Sequence, residues 1–201
     1  MAQSLLDLTG DYPSGGGSML SAIRRYEWDL SPAGPIDAWS EPLHHATRLM
    51  LLSAAPMTVL IGREGLLLFN DAALKLFGPH WGSALGQSIS EALPEVAPLC
   101  REAIARCFEG ESLYYFDKPL ILDRDGAQGV AWFNLTFTPV ANEHGDVSGI
   151  LLVVGRTNGR VEALRQLRRA SDHMETTLSA GGVVGTWDLD IRTNRLTSDE
   201  H

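Results

Sequence analysis

Hydrophobic and polar positions in the second half of the chain predict a long β-hairpin. The segment 130–154, VAWFNLTFTPVANEHGDVSGILLVV, has two apolar arms around a polar break at 142–146. Gly145 supplies a residue that can adopt positive φ, and the Asn and Asp residues supply turn chemistry. Because an isolated hairpin is marginally stable in water, its apolar face needs cover from the rest of the chain.

Apolar residues at helical spacing predict that cover. A helix over 40–54 has Ser40 as its N-cap and ends before Pro56, and the longest helix covers 96–108. A short helix over 71–77 follows the N-cap residue Asn70, and another is predicted at 19–26.

Three further strands complete the predicted sheet. Short apolar runs at 57–61 and 65–69 flank a turn, and a strand over 114–122 contains Pro119, which indicates an edge or a bulge. Two strands, then helices, then three strands predict an α+β fold with a five-stranded antiparallel 2 + 3 sheet and helices on one face.

The pattern divides the chain into four parts. Residues 1–33 form a tail with a Gly/Ser tract and a possible short helix, residues 34–156 form the sheet domain, and residues 181–201 begin another segment. The connector, 157–180, is predicted as one helix with a coiled-coil pattern, which indicates a parallel homodimer. The alternative is an amphipathic helix folded back on its own domain. The predicted dimer positions are Leu164, Leu167, Ser171, Met174 and Leu178.

Composition narrows the class of protein. The net charge of −9 and the pI near 5.0 disfavour binding to nucleic acid or to anionic membranes. No window approaches the roughly 20 apolar residues of a membrane span, and no signal peptide is visible. Two cysteines are too few for a disulfide scaffold, so a reduced, cytoplasmic setting is expected.

Several ordered motifs resemble those of PAS domains that open many bacterial sensor histidine kinases. They are Gly34-Pro35-Ile36, Trp39, Pro56, Phe69-Asn70-Asp71-Ala72 and the strands beginning WFNLTFTPV. The segment 178–197 is similar to the start of a second PAS domain, here truncated, so we expect an N-terminal piece of a longer protein.

The resemblance implies a function in signal transduction within a two-component system. It implies a sensory module that regulates a distal output domain, a histidine kinase, through the dimeric connector, with no catalytic residue in this chain. Two alternatives stay open: a flavin- or haem-binding photoreceptor or redox sensor, and a structural dimerisation module.

PAS sensors often end the last strand with an Asp-x-Thr motif. The segment Gly155-Arg156-Thr157 keeps the Thr and lacks the Asp.

The cysteines and histidines predict no cofactor or metal. Cys100 and Cys107 share the apolar stripe of one helix, outside any flavin-cysteine motif, and are predicted to pack in the core. Haem-binding PAS domains place a His on the long core helix, which has none here, and His80 in the preceding loop is a weak substitute.

The remaining histidines are predicted to be structural. His44 and His45 are adjacent on a helix, so they point to different faces and do not share a metal. His173 lies in DHMETTL, which faintly resembles a phosphoacceptor box, but a solvated helix histidine is the expected interpretation.

A small-molecule pocket is the remaining site hypothesis, between the sheet and its helices. Alternation over 132–138 puts Phe133, Leu135 and Phe137 on one face of the strand, and this face is predicted to lie under the helices. The alternative is a filled core without a ligand. The predicted pocket residues are Val59, Phe69, Leu74, Phe77, Ile104, Phe133, Leu135 and Phe137.

Overall fold

The computed structural model describes residues 18–124, 127–160, 163, 164, 166, 168, 187–190 and 195–198. They belong to two compact units, residues 1–158 and residues 159–201. The first unit contains the sheet domain predicted from the sequence. Among the described residues, no helix combines the length and the apolar character needed to cross a bilayer.

The described residues of the first unit form five α-helices and five strands. The strands form one antiparallel sheet in the order β2-β1-β5-β4-β3, which confirms the predicted α+β fold and its 2 + 3 arrangement. The elements are α1 (Ser18–Arg25), α2 (Glu41–Leu52), β1 (Met57–Ile61), β2 (Leu66–Phe69), α3 (Asp71–Phe77), α4 (Ile89–Ala92), α5 (Ala97–Cys107), β3 (Leu113–Arg124), β4 (Ala127–Ala141) and β5 (Val147–Arg156).

The inner face of the sheet is the face covered by α3, α4 and α5. Thr58, Leu152 and Phe137 lie directly opposite one another on β1, β5 and β4, so they share this face. Together with residues of α4 and α5 they surround a common cavity.

The outer face of the sheet is covered by α2 around β1. A Cβ atom on Gly149 would lie 2.9 Å from Leu43 Cδ1, so the helix approaches the strand at a position without a side chain. Val59 and Ile61 alternate with the inner-face residues of β1, yet both are buried. The sheet therefore has helices on both faces at β1: α2, which the sequence predicted on the same face as the other helices, lies on the outer face.

The buried side chain of Asn70 joins three elements. Its Nδ2 donates to the carbonyl oxygens of Met50, Ser53 and Ala55 at 2.9, 3.1 and 2.8 Å. Its Oδ1 accepts from the backbone N–H of Met57 at 3.2 Å and, as the N-cap of α3, from that of Ala73 at 2.9 Å. One amide thus holds the end of α2, the start of β1 and the start of α3 together.

The two edge strands of the sheet, β2 and β3, differ in their backbone hydrogen bonding. On the β2 side, Leu67 exchanges backbone hydrogen bonds with Gly86 and Gln87, at 2.9 Å each. On the β3 side, a bulge interrupts the pairing with β4 between Tyr115 and Lys118. Asp117 within the bulge has φ of +46°, and its N–H donates to Asn134 Oδ1 at 3.0 Å.

Three further segments of the first unit contain 3₁₀ turns. They are Trp28–Leu30, Ile36–Ala38 and Pro79–Ala84. Pro35 immediately precedes the second turn and Pro79 opens the third, because the fixed φ of proline suits the first position of a helical turn.

The second unit contains the predicted hairpin at the end of the chain. Strands β6 (Trp187–Asp190) and β7 (Arg195–Ser198) pair in antiparallel fashion. Residues 163, 164, 166 and 168 are helical, in the region of the predicted connector. The connector positions 169–180 lie outside the described residues, and the second PAS domain stays a prediction.

Replacing Asn70 with Ala should lower the free energy of unfolding by about 3 kcal/mol or more, measured by urea denaturation. The variant loses an N-cap, worth about 1 kcal/mol, and the three hydrogen bonds that Nδ2 donates, at about 1 kcal/mol each. Asn142→Ala is the control, because Asn142 Oδ1 accepts from His144 and Asp146 in an exposed turn; a loss of about 1 kcal/mol is expected. Equal losses in the two variants would refute the role of Asn70 as a junction.

Candidate functional site

The first unit contains an apolar cavity between the inner face of the sheet and the helices. Its volume is about 30 Å³. The sheet contributes side chains of all five strands, and α3, α4, α5 and the segments around them contribute the rest. The lining residues are Thr58, Leu67, Phe77, Trp81, Ile89, Leu93, Val96, Leu99, Cys100, Leu120, Leu135, Phe137, Leu152 and Val154.

The volume of the cavity limits what it can hold without rearrangement. One water-sized group occupies about 10–15 Å³ on this scale, so the cavity takes about two or three such groups. Pockets for drug-sized ligands usually measure about 300–1,000 Å³. A flavin or haem does not fit the side chains as they stand, and none of the lining residues is a histidine.

An aromatic cluster fills the space beside the cavity. The rings of Phe77 and Trp81 are stacked with centroids 4.0 Å apart, and Trp81 meets Phe69 edge-on at 5.9 Å. Phe133 lies 5.9 Å from Phe77 on the other side. Moving the half-buried Trp81 is therefore the most direct way to enlarge the cavity.

Five of the predicted pocket residues lie at the cavity or in this cluster. Phe77, Leu135 and Phe137 line the cavity, whereas Phe69 and Phe133 belong to the aromatic cluster. The burial of Phe133, Leu135 and Phe137 follows the alternation expected from the sequence.

The other three predicted pocket residues do not line the cavity. Ile104 is buried where α5 meets Gly65, at the turn between β1 and β2, and Leu74 of α3 is partly buried. Val59 pairs with Leu68 and Leu151 on the outer face of the sheet. The structure thus places Val59 on the side of the sheet opposite the cavity.

Both cysteines are buried thiols on α5. Burial raises the pKa of Cys100, which lines the cavity, to about 12. Burial also raises the pKa of Cys107, despite the neighbouring Arg106 guanidinium. Both groups therefore remain protonated at neutral pH, which disfavours nucleophilic or redox chemistry.

The histidines form no metal site with other side chains among the described residues. Burial lowers the pKa of the partly buried His44, whose ring centroid lies 6.1 Å from that of Trp39. His45 is exposed and lies 4.0 Å from Glu41. His80 lies in the 3₁₀ turn Pro79–Ala84, and His173 lies outside the described residues.

The junction between β5 and the connector is fixed to β4. The Thr157 N–H donates to the carbonyl oxygen of Trp132 at 2.7 Å. The Trp132 N–H donates to Asn158 Oδ1, also at 2.7 Å. The sequence left this contact open because the Asp of the resembled motif is missing, and the structure shows a bond from the residue after Thr157 instead.

The predicted dimer positions are described only in part. Leu164 is helical and 53 % exposed, so its side chain is available to a partner. Leu167, Ser171, Met174 and Leu178 lie outside the described residues.

Comparison with solved structures gives low sequence identity and partial superposition. The PAS domain of Bordetella pertussis BvgS is 24 % identical with a TM-score of 0.48, covering 65 % of this chain and 97 % of that one. A sensory box sensor histidine kinase from Vibrio cholerae is 19 % identical with a TM-score of 0.40, covering 54 % and 86 %. An RNA-binding light-oxygen-voltage receptor is 22 % identical with a TM-score of 0.47, covering 63 % and 36 %. At these scores the likenesses carry no argument about function.

A family model gives the clearer result. No curated protein matches the chain in sequence. The family model described as the PAS fold matches residues 53–162, which run from the end of α2 through β5 and the junction at Thr157 and Asn158. The match covers more than half of the 201 residues and contains all five strands of the sheet. The chain therefore belongs to the PAS fold family.

Proposed function

We propose that this PAS domain is a cytoplasmic sensory module that regulates a distal output domain through the connector helix. The observation that carries the proposal is the pair of hydrogen bonds between Trp132 and the junction residues Thr157 and Asn158. These bonds link the strand that lines the cavity to the first residues of the connector.

The path from the cavity to the connector is short. Leu135 of β4 lines the cavity and is three residues from Trp132. Val154 of β5 also lines the cavity and is three residues from Thr157. A ligand that separated β4 from the helices would strain both strands near the junction, and the hydrogen bonds would transmit that displacement to the helix.

The proposed output is a histidine kinase, and the proposed arrangement is a homodimer joined through 157–180. The kinase is supported by the resemblance of residues 34–72 to the PAS domains that open such sensors, and the dimer by the spacing of apolar residues in the connector. A cyclase or phosphodiesterase as the output domain of the same protein would contradict the kinase proposal.

Two other functions make different predictions. A flavin or haem photoreceptor would have a visible absorption band, but the small cavity and the absence of a lining histidine favour a sensor without a large cofactor. A purely structural dimerisation module would need no coupling between the cavity and the junction.

Removing the Asn158 side chain should uncouple the cavity from the connector. Leu99→Ala, which enlarges the cavity from the α5 side, should shift the backbone amide signals of residues 157–160 in NMR spectra. In the Leu99→Ala/Asn158→Ala double variant, the shift changes at residues 157, 159 and 160 should be less than about half of those that Leu99→Ala causes alone. The reason is that the hydrogen bond between Trp132 and Asn158 is missing from the path. Each comparison uses the corresponding variant without Leu99→Ala as its reference.

Asn134→Ala is the matched control for this experiment. Asn134 also accepts a backbone N–H bond, from Asp117 at 3.0 Å, but at the β3 bulge rather than at the junction. It should leave the shifts at 157–160 unchanged. Full transmission in the Asn158 variant, or equal loss in the Asn134 variant, would contradict the proposed path.

Introducing a charge at Leu164 should dissociate the proposed dimer. Light scattering on the full 201-residue chain should give a dimer mass for the unmodified protein and a monomer mass for Leu164→Asp, because an aspartate at a coiled-coil seam is costly to bury. Gln166→Asp, exposed on the same helix and outside the apolar series, should remain dimeric. A monomeric unmodified protein would refute the dimer.

The thiols should resist labelling in the folded protein. With the pKa of Cys100 raised from 9.0 to about 12, its thiolate fraction at pH 8 is about a thousandfold below that of an ordinary thiol. Ellman's reagent at pH 8 should therefore react slowly with the native chain and promptly with two thiols in guanidinium. Rapid reaction of the native protein would reopen the redox-sensor alternative.

A further inference from the structure

A row of three residues crosses the inner face of the sheet next to the cavity and contains two cations. Lys118 on β3, Phe133 on β4 and Arg156 on β5 lie directly opposite one another. Phe133 is buried beneath the helices, so the two flanking residues have their Cβ atoms on the same, inner face. We call these three residues the cationic row.

The cationic row is adjacent to the cavity on both sides. Leu135 and Val154 line the cavity, and each lies two residues from the row along its own strand, on the same face. Leu120, one step along β3 in the other direction, also lines it. The Cα atoms of Lys118 and Arg156 are separated by two strand spacings, about 10 Å, so both side chains can reach a small group between them.

The aromatic ring of Tyr115 lies beside the row. The Lys118 ammonium nitrogen is 5.7 Å from the centroid of the Tyr115 ring, which in turn meets the cavity residue Phe137 edge-on at 5.9 Å. The Tyr115 hydroxyl is buried and has no hydrogen-bond partner within the described part of the chain. Burial, with the nearby Glu102 carboxylate, raises the pKa of Tyr115, which keeps the hydroxyl able to donate.

Neither cation is neutralised by the protein in the region that the structure describes. Among residues 18–124 and 127–160, Lys118 and Arg156 form no ion pair with a carboxylate. Two cations without a carboxylate partner beside an apolar cavity match a ligand with an anionic head and an apolar tail.

We propose that the cavity binds a short-chain alkyl carboxylate, with its tail among the apolar lining residues and its carboxylate between Lys118 and Arg156. This inference rests on the proposed sensory function and names the ligand class. The size of the cavity limits the buried part of the tail to about two or three carbon groups.

The position of the cationic row also explains how binding would reach the connector. Arg156 is the last residue of β5 and immediately precedes Thr157. A carboxylate between Lys118 and Arg156 draws the middle of β3 and the end of β5 toward each other across β4. The displacement therefore acts on the strand end whose next two residues are bonded to Trp132.

The test compares pentanoate with pentanamide, which has the same tail and a neutral head. NMR titration of the 201-residue chain should show pentanoate shifting the amide signals of Leu135 and Val154, with an affinity at least tenfold above that of pentanamide. From propanoate to pentanoate the affinity should rise by about fourfold for each methylene that the cavity accepts and then level off.

Lys118→Met tests the head group. Methionine keeps an unbranched apolar stem, so the variant should lose the preference for pentanoate and bind both probes as the unmodified protein binds pentanamide. Lys75→Met is the matched control, because Lys75 is exposed on α3 and is the other lysine of the chain. It should keep the full preference, and thermal unfolding of both variants checks that the fold is intact.

The outcomes separate this inference from the sensory proposal. Equal binding of pentanoate and pentanamide, or a preference that survives in Lys118→Met, overturns the anionic ligand class. Failure of both probes to shift Leu135 and Val154 overturns it as well. The coupling measured with Leu99→Ala and Asn158→Ala needs no ligand. That experiment therefore tests the sensory function independently of the ligand class.

Discussion

The amide of Asn70 is the interaction on which the rest of the domain depends. An amide has two N–H donors and a separate acceptor oxygen, whereas an ionised carboxylate only accepts and a hydroxyl has a single donor. Its five hydrogen bonds fix where α2 stops, where β1 starts and how α3 leaves the sheet. Because α2 covers the outer face and α3 the inner face, one side chain positions both layers relative to the sheet.

A small cavity suits a sensor better than a cavity large enough for a cofactor. Close packing makes the surrounding strands respond to the addition of even a few atoms. The aromatic cluster of Phe69, Phe77, Trp81 and Phe133 occupies the volume in which a larger ligand would lie. The domain therefore combines a stiff core with a limited space near β4 and β5, the strands that lead to the junction.

Some features of the site were predictable because they depend on residues close together in the sequence. The N-caps Ser40 and Asn70 marked helix starts, and strict alternation placed Phe133, Leu135 and Phe137 under the helices. Val59 was assigned to the pocket because β1 is apolar at nearly every position and buried on both faces, which leaves no period-two signal.

The features that the sequence did not reveal depend on contacts distant along the chain. Trp81 lies in a segment without periodicity, so nothing local indicated its stacking on Phe77. The inner-face position of Lys118 depends on the bulge at Asp117, which reverses the alternation expected along β3. The hydrogen bond that the Trp132 N–H donates to Asn158 Oδ1 joins residues 26 positions apart and matches no motif.

The two edges of the sheet have a consequence for how copies of this protein meet. Residues 86–88 already form backbone hydrogen bonds with the β2 edge, so these groups are not available to a strand from another molecule. On β3, the bulge at 116–117 lies two residues before Pro119, which has no N–H, so the edge has no long run of regular donors. Sheet extension from one molecule to the next is therefore disfavoured at both edges of the sheet.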